Sequence, residues 1–275
     1  AALRSVVGPR STVLEIGTGS GFFAVLACRL GAGQVHAVEP DDSIQVAREL
    51  ALANGVADRI VFHQELSARI TLPEPADVMF SDLRGILPLF QHHVATVRDA
   101  RTRLLKTGGA QIPLRDRVWA APVSSRDLYL DRVEPWGENH RGVELGPARR
   151  RLADQFSKAR VKPGELAAEP ALWAELDYTS ITEPGVRGRL EWEMDQETTL
   201  HGLAAWFDTD LAPGIGFSNA PNAPKALYGQ AFFPFAQPLD RVMPLLVSVS
   251  RHEIEKHVAT IDDDKCLRHR FAGFV

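Results

Sequence analysis

Thr12-Val13-Leu14-Glu15-Ile16-Gly17-Thr18-Gly19-Ser20-Gly21-Phe22 is the stretch from which the rest of the chain can be read. Residues 12–17 have the apolar, β-branched character of a short buried strand. Residues 22–30 are apolar and helical in character, with Gly31 placed to end the helix. Between them three glycines alternate with small polar residues. Glycine permits a tight turn and a close approach of backbone to a ligand, and a helix N-terminus offers free N–H groups. The dinucleotide fingerprint G-x-G-x-x-G places its third glycine one residue later, where Phe22 stands here. The tighter spacing argues against a pyrophosphate ligand.

Outward from this motif, strands and helices alternate. Residues 34–38 form a second strand, 41–54 a helix, 59–63 a third strand and 76–81 a fourth. A helix near 88–104 and a strand near 109–113 follow. This spacing predicts an α/β fold, a Rossmann-like parallel sheet with right-handed crossovers. From about residue 115 the pattern becomes extended segments divided by Pro and Gly: Arg117–Pro122, Leu176–Ile181, Arg187–Glu193, Leu200–Thr209, Ala231–Phe235 and Leu245–Val249. A polar, partly helical insertion at about 137–170 interrupts them. We expect a nucleotide-binding domain over 1–113 and a β-rich domain over 114–275.

Composition narrows the classes. Of 275 residues, 45% are apolar and 24% charged, the balance of a globular protein with a real core. The formal charge of −4 argues against nucleic acid or an acidic membrane as the main partner. Two cysteines, Cys28 and Cys266, sit far apart in no metal-ligand spacing, which predicts a reducing, cytoplasmic setting. No apolar run reaches the roughly 20 residues that cross a bilayer. The start at Ala1, without a methionine and close to the first strand, predicts that a further segment precedes it. The nine histidines show no ligand spacing. His92-His93 read as a solvated helix end ahead of a catalytic base, Trp136, Trp173, Trp192 and Trp206 as core or interface, Arg149-Arg150-Arg151 as a solvated face ahead of a patch for an acidic substrate, and Asp262-Asp263-Asp264 as a turn.

Glu39, followed by Pro40, ends the second strand about 20 residues after the glycine loop. A carboxylate there accepts hydrogen bonds from ribose hydroxyls, whichever adenosine cofactor carries them. Val13-Leu14-Glu15-Ile16-Gly17-Thr18-Gly19-Ser20-Gly21 together with Val35-His36-Ala37-Val38-Glu39-Pro40 resembles the class I S-adenosylmethionine methyltransferases. The resemblance implies that Gly17, Gly19 and Gly21 pass under the methionine part of the cofactor, with Thr18 and Phe22 also among the cofactor-binding residues. It implies that Glu15 supports the loop, that Glu39 and Pro40 flank the ribose, and that Leu66-Ser67 lie by the adenine. Ser81 would stand at the edge where such enzymes place the acceptor.

Asp77-Val78-Met79-Phe80-Ser81-Asp82-Leu83-Arg84-Gly85, Gly108-Gly109-Ala110-Gln111-Ile112-Pro113 and Gly216-Phe217-Ser218-Asn219-Ala220-Pro221 are similar to the protein arginine methyltransferases. So are Gly202-Leu203-Ala204-Ala205-Trp206-Phe207-Asp208 and Trp136…Gly142-Val143-Glu144-Leu145. This likeness implies a β-barrel second domain whose insertion is a dimerisation arm, and hence a homodimer. It also exposes departures. The family pattern Ser-Glu-Trp-Met-Gly…Glu places its two glutamates on Asp82 and Gln91, and its Thr-His-Trp loop falls on Ala226-Leu227-Tyr228. Asp82 is one methylene shorter and Gln91 is neutral. Losing one charge-assisted contact to a desolvated cation costs on the order of 1.5–3 kcal/mol, roughly ten- to a hundredfold. Asp82 and Gln91 are thus the candidate catalytic pair of a divergent enzyme that N-methylates an amino-acid, peptide or protein side chain. Methylation of a small molecule at N or O, and a non-catalytic cofactor-binding scaffold, are the two other readings.

Overall fold

The computed structural model describes the chain except at residues 90–91, 137–140, 154, 184–186, 194–197, 226, 241–244, 251–257, 263–265 and 271–275. A short helix, α1 (Ala2–Val6), leads into β1 (Thr12–Ile16). Next come α2 (Phe22–Arg29), β2 (Gln34–Val38), α3 (Ile44–Ala53), β3 (Ile60–His63), β4 (Ala76–Ser81), α4 (His93–Arg103) and β5 (Leu105–Ile112). The strands form one parallel sheet in the order β3-β2-β1-β4-β5. Val13, Val35, Val78 and Phe80 pack with Ala24 and Cys28 of α2, whereas Leu14, Ile16 and Met79 pack with Val97 and Ala100 of α4. Both faces are covered, so the strands are apolar at consecutive positions.

The order of this sheet reverses between β1 and β4, and Ile16 lies in register with Ser81. The glycine loop and the Ser81-Asp82 corner therefore leave the sheet side by side. Crevices at such reversals are where open α/β sheets bind ligands.

The second half comprises β6 (Arg115–Val123), α5 (Arg126–Val133), α6 (Gly146–Ala153), β7 (Ser157–Ala159), β8 (Ala171–Asp177) and β9 (Arg187–Trp192). It continues with β10 (Leu200–Ala212), β11 (Ile215–Ser218), β12 (Gln230–Leu239), β13 (Leu245–Ser250), β14 (Val258–Asp262) and β15 (Cys266–Arg270). An antiparallel sheet runs β7-β12-β10-β6-β8, with β11 added to β10. Two further antiparallel pairs are β9 with β13 and β14 with β15.

One expectation is corrected, and the partly helical insertion, which contains α6, gains a strand. The strand anticipated at 176–181 is Ala171–Asp177, because the Asp177 carboxylate accepts both the backbone N–H (2.9 Å) and the hydroxyl (2.6 Å) of Thr179 and turns the chain. The insertion near 137–170 is partly sheet, since Ser157–Ala159 pairs with β12. Phe156 packs on Phe233 of that same sheet, with ring centroids 5.3 Å apart. Gln91, the segment 137–140 and Asp263-Asp264 lie outside the described residues.

The two halves share one core. Leu14, Ile16 and Met79 join Leu87 and Val94, then Val118, Leu176 and Phe235, in a single buried cluster. The backbone N–H of Leu114 donates to the Asp210 carbonyl at 2.8 Å, and that of Tyr178 donates to the Leu114 carbonyl at 2.9 Å. Among the described residues no helix is long and apolar enough to cross a membrane, and no group of side chains is arranged to hold a metal ion.

Candidate cofactor and acceptor site

The loop after β1 is held from within. Gly17, Gly19 and Gly21 have φ of 79°, 50° and 80°, the left-handed region in which a Cβ is costly. A Cβ on Gly17 would lie 2.5 Å from Leu83 Cδ2, and one on Gly21 would lie 2.6 Å from Ala47 Cβ. At Gly19 nothing stands within 4 Å, so this is the glycine whose bare face opens to a ligand. The N–H groups of Gly17 and Thr18 donate to the Val38 carbonyl at 2.8 and 3.1 Å, and that of Gly21 donates to Thr18 at 2.8 Å. These donors are turned inward and do not form an anion cradle, which agrees with the spacing argument against a pyrophosphate. Glu15 is buried beneath the loop and accepts the Thr18 hydroxyl at 2.6 Å.

Glu39 borders the same opening. One carboxylate oxygen accepts the Gly19 N–H at 3.0 Å and the other accepts the Asp41 N–H at 3.1 Å. Each oxygen keeps a second lone pair for a ribose hydroxyl. Exposed Pro40 follows it. The Glu39 N–H donates to the His63 carbonyl at 3.0 Å, which brings the end of β3 alongside. Beyond β3, Leu66 is exposed and Ser67 buried, and the Ser67 carbonyl accepts from Arg103 at 2.9 Å. Phe22 opens α2 with an exposed ring set edge-on to Phe23. On the β4 side, the Ser81 hydroxyl is buried without a hydrogen-bond partner, an orphan polar atom beside the loop. An open glycine face, a two-oxygen carboxylate and an orphan hydroxyl around one crevice fit S-adenosylmethionine.

Asp82 heads a polar network that crosses from one sheet to the other. Its Oδ1 accepts from Arg84 Nε at 3.1 Å, and its Oδ2 accepts the Tyr228 hydroxyl. Arg84 Nη1 donates to Thr209 Oγ1 at 2.7 Å and to Asp116 Oδ1 at 3.3 Å. Asp116 Oδ2 accepts the Tyr178 hydroxyl at 2.7 Å, and that hydroxyl pairs with His93 Nε2 at 3.0 Å. Burial works against the charge on Arg84, but Asp116 and Asp82 outweigh it and hold the guanidinium above its ordinary range. Burial, with the bond to Asp82, also raises the Tyr228 phenol. Burial first, and the Arg84 charge second, push His93 down to about 3.

Residues 1–110 match the family model described as ribosomal protein L11 methyltransferase. Residues 115–271 match the model of the arginine methyltransferase oligomerization subdomain. The chain belongs to the protein arginine methyltransferase family. An arginine N(omega)-methyltransferase of Streptomyces achromogenes subsp. streptozoticus is 30% identical over 247 residues, covering 86% of this chain and 67% of the relative. A probable protein arginine N-methyltransferase 6 of Arabidopsis thaliana is 28% identical over 218 residues, 76% of this chain. The chain spans about half of that relative's length (49%). The fold is also that of the Trypanosoma brucei PRMT1 enzyme–prozyme heterotetrameric complex with AdoHcy, with a TM-score of 0.75 at 21% identity over 89% of this chain and 80% of the other.

The structure brings the loop, Glu15, Glu39, Ser81 and Asp82, all named from the sequence, to one end of the parallel sheet. Sequence reading did not find Arg84, Asp116, Tyr178 and Thr209, nor the burial of His93, which it took with His92 as a solvated helix end. His92 is exposed as expected, whereas His93 is enclosed against Tyr178. One signal was present: Arg84 stands where the family pattern Ser-Glu-Trp-Met-Gly has Met. Trp173, Trp192 and Trp206 are buried as expected of core residues, and Trp136 is partly exposed.

Proposed function

We propose that this chain transfers a methyl group from S-adenosylmethionine to a nitrogen of an arginine-like side chain, with Asp82 and Gln91 facing the acceptor. The observation that carries this reading is the in-register pairing of Ile16 with Ser81, which brings Asp82 beside the glycine loop in a chain of this family. The Streptomyces relative, named an arginine N(omega)-methyltransferase, supports a guanidinium nitrogen as acceptor. The Trypanosoma complex, described with AdoHcy, supports the cofactor.

When bound, S-adenosylmethionine supplies a methyl already activated on a sulfonium. The protein's task is then alignment and exclusion of water. Gly19 admits the methionine part, Glu39 and Pro40 flank the ribose, Leu66-Ser67 border the adenine, and Phe22 covers the loop. Asp82 would hold the acceptor guanidinium in its cationic form beside the crevice; the methyl passes to a guanidinium nitrogen, S-adenosylhomocysteine leaves and the nitrogen gives up one proton. We place a domain division near Pro113, closure of the antiparallel sheet into a barrel, and a homodimer formed through the arm. The reading of the protein as cytoplasmic is supported by its two widely spaced cysteines. The decisive test offers labelled S-adenosylmethionine with free arginine, arginine-rich peptides and cell lysate. Methylated guanidinium groups are expected by mass spectrometry. Asp82→Asn should lower kcat/KM roughly ten- to a hundredfold. Label only on other nitrogens, or on oxygen, would overturn the assignment.

A further inference from the structure

Arg84 is 3% exposed, an uncommon place for a cation. Besides its bonds to Asp82, Asp116 and Thr209, its guanidinium carbon lies 5.4 Å from the ring centroids of Phe207 and Phe217 and 6.0 Å from that of Tyr228. Carboxylates at the edge and aromatic faces around it are how proteins hold a guanidinium. The guanidinium held here is the chain's own. Asp82 stands at the border of this box. Its side chain is 44% exposed, so it is open to solvent as well as bonded to Arg84. A fork-to-fork grip on an incoming guanidinium draws on both oxygens of one carboxylate. Each oxygen of Asp82 already accepts an internal donor, Oδ1 from Arg84 and Oδ2 from Tyr228.

From this geometry we infer that Arg84 determines acceptor specificity: it competes from inside the fold for Asp82 and weakens the grip on a guanidinium acceptor. Two effects act in the same direction. The Nε–H bond occupies one of the two lone pairs of Oδ1 and draws down that oxygen's charge, so a further donor is held there less strongly. The fixed positive charge cancels one of the two nearby carboxylate charges and repels a second cation at short range. This inference rests on the reading of Asp82 as the acceptor-facing carboxylate.

The test reads binding, so that it stands apart from turnover. Protein saturated with S-adenosylhomocysteine is titrated by calorimetry with N-acetyl-L-arginine amide. The variants are Arg84→Met, whose soft side chain suits an aromatic box, and Arg84→Met with Asp116→Asn, which removes the buried charge the first change leaves unpaired. In the double variant the Kd of the probe should fall about tenfold, the scale of one charge-assisted contact. An unchanged or larger Kd, with S-adenosylhomocysteine affinity and Tm at their original values, would overturn the inference. A second measurement needs no variant. The unaltered protein should prefer the arginine probe over its neutral ureido analogue, N-acetyl-L-citrulline amide, by less than about tenfold; a larger preference also overturns it. Absence of methyl transfer to arginine would sink the proposed function and leave both binding results readable.

Discussion

At the scale of single residues, Glu15 shows what burial does to a carboxyl. It is 2% exposed, and burial pushes its pKa up to about 8 against the opposing bond from Thr18. The folded value lies above the ordinary 4.5. The protonated form's stabilisation is therefore complete below pH 4.5 and is lost as the pH rises toward 8, at about 1.4 kcal/mol per pH unit. Glu15→Gln should remove that slope. Parallel melting curves for variant and parent from pH 5 to 8 would show that burial does not govern this group. Glu39 acts by contact. Glu39→Ala removes the acceptor of the Gly19 N–H as well as the proposed ribose contact, and calorimetry should show S-adenosylmethionine affinity lower by about tenfold or more. Unaltered affinity would end the ribose assignment. Both glutamates were legible in the sequence because their partners lie within a few residues or one strand. Arg84 was not, since Asp116 and Thr209 stand 32 and 125 residues away along the chain.

Among the elements, α4, β6 and the end of β8 are joined through His93, Asp116 and Tyr178. Tyr178→Phe deletes a donor to a buried carboxylate and should cost about 1–3 kcal/mol of stability by denaturant titration. A change below the error of that measurement would mean that Asp116 is satisfied without the Tyr178 hydroxyl, through Arg84. His93 adds a pH dependence of its own. Its folded pKa of about 3 lies below the ordinary 6.5, so its contribution is complete above pH 6.5 and is lost as the pH falls toward 3. Compared with the parent, His93→Gln should lose less stability between pH 6.5 and 4. Equal losses would place the acid sensitivity elsewhere. Strands β1, β2 and β4 could be read within a residue or so because apolar runs bounded by glycine or proline have few other uses in a parallel sheet. β8 was displaced in the reading because Tyr178 is buried in the turn beyond it, which imitates a strand's alternation.

For the whole molecule, the proposed homodimer brings together apolar side chains that one subunit leaves in water. Val143 of the arm is 58% exposed, and Phe23, Val46 and Leu52 are exposed on α2 and α3. A two-fold closed pair covers both sets at once. Light scattering at low micromolar concentration should give a dimer mass, and Val143→Lys should shift it toward the monomer. A monomer with full activity would show that the arm bridges nothing. The sequence by itself determined the parallel sheet, the glycine loop and its adenosine-type ligand, and the likeness to arginine methyltransferases through the second half. The sheet and the loop are local features that rest on periodicity and turn chemistry, whereas the ligand and the reading of the second half rest on the resemblance to a known family. Only the tertiary structure decided that the two halves share a core and that Tyr228 meets Asp82, 146 residues apart. It also decided that a buried arginine shares the candidate acceptor carboxylate. The physical reason is that a buried charge is tolerated only where several distant segments supply its partners together. Such a meeting leaves no period or spacing in the sequence.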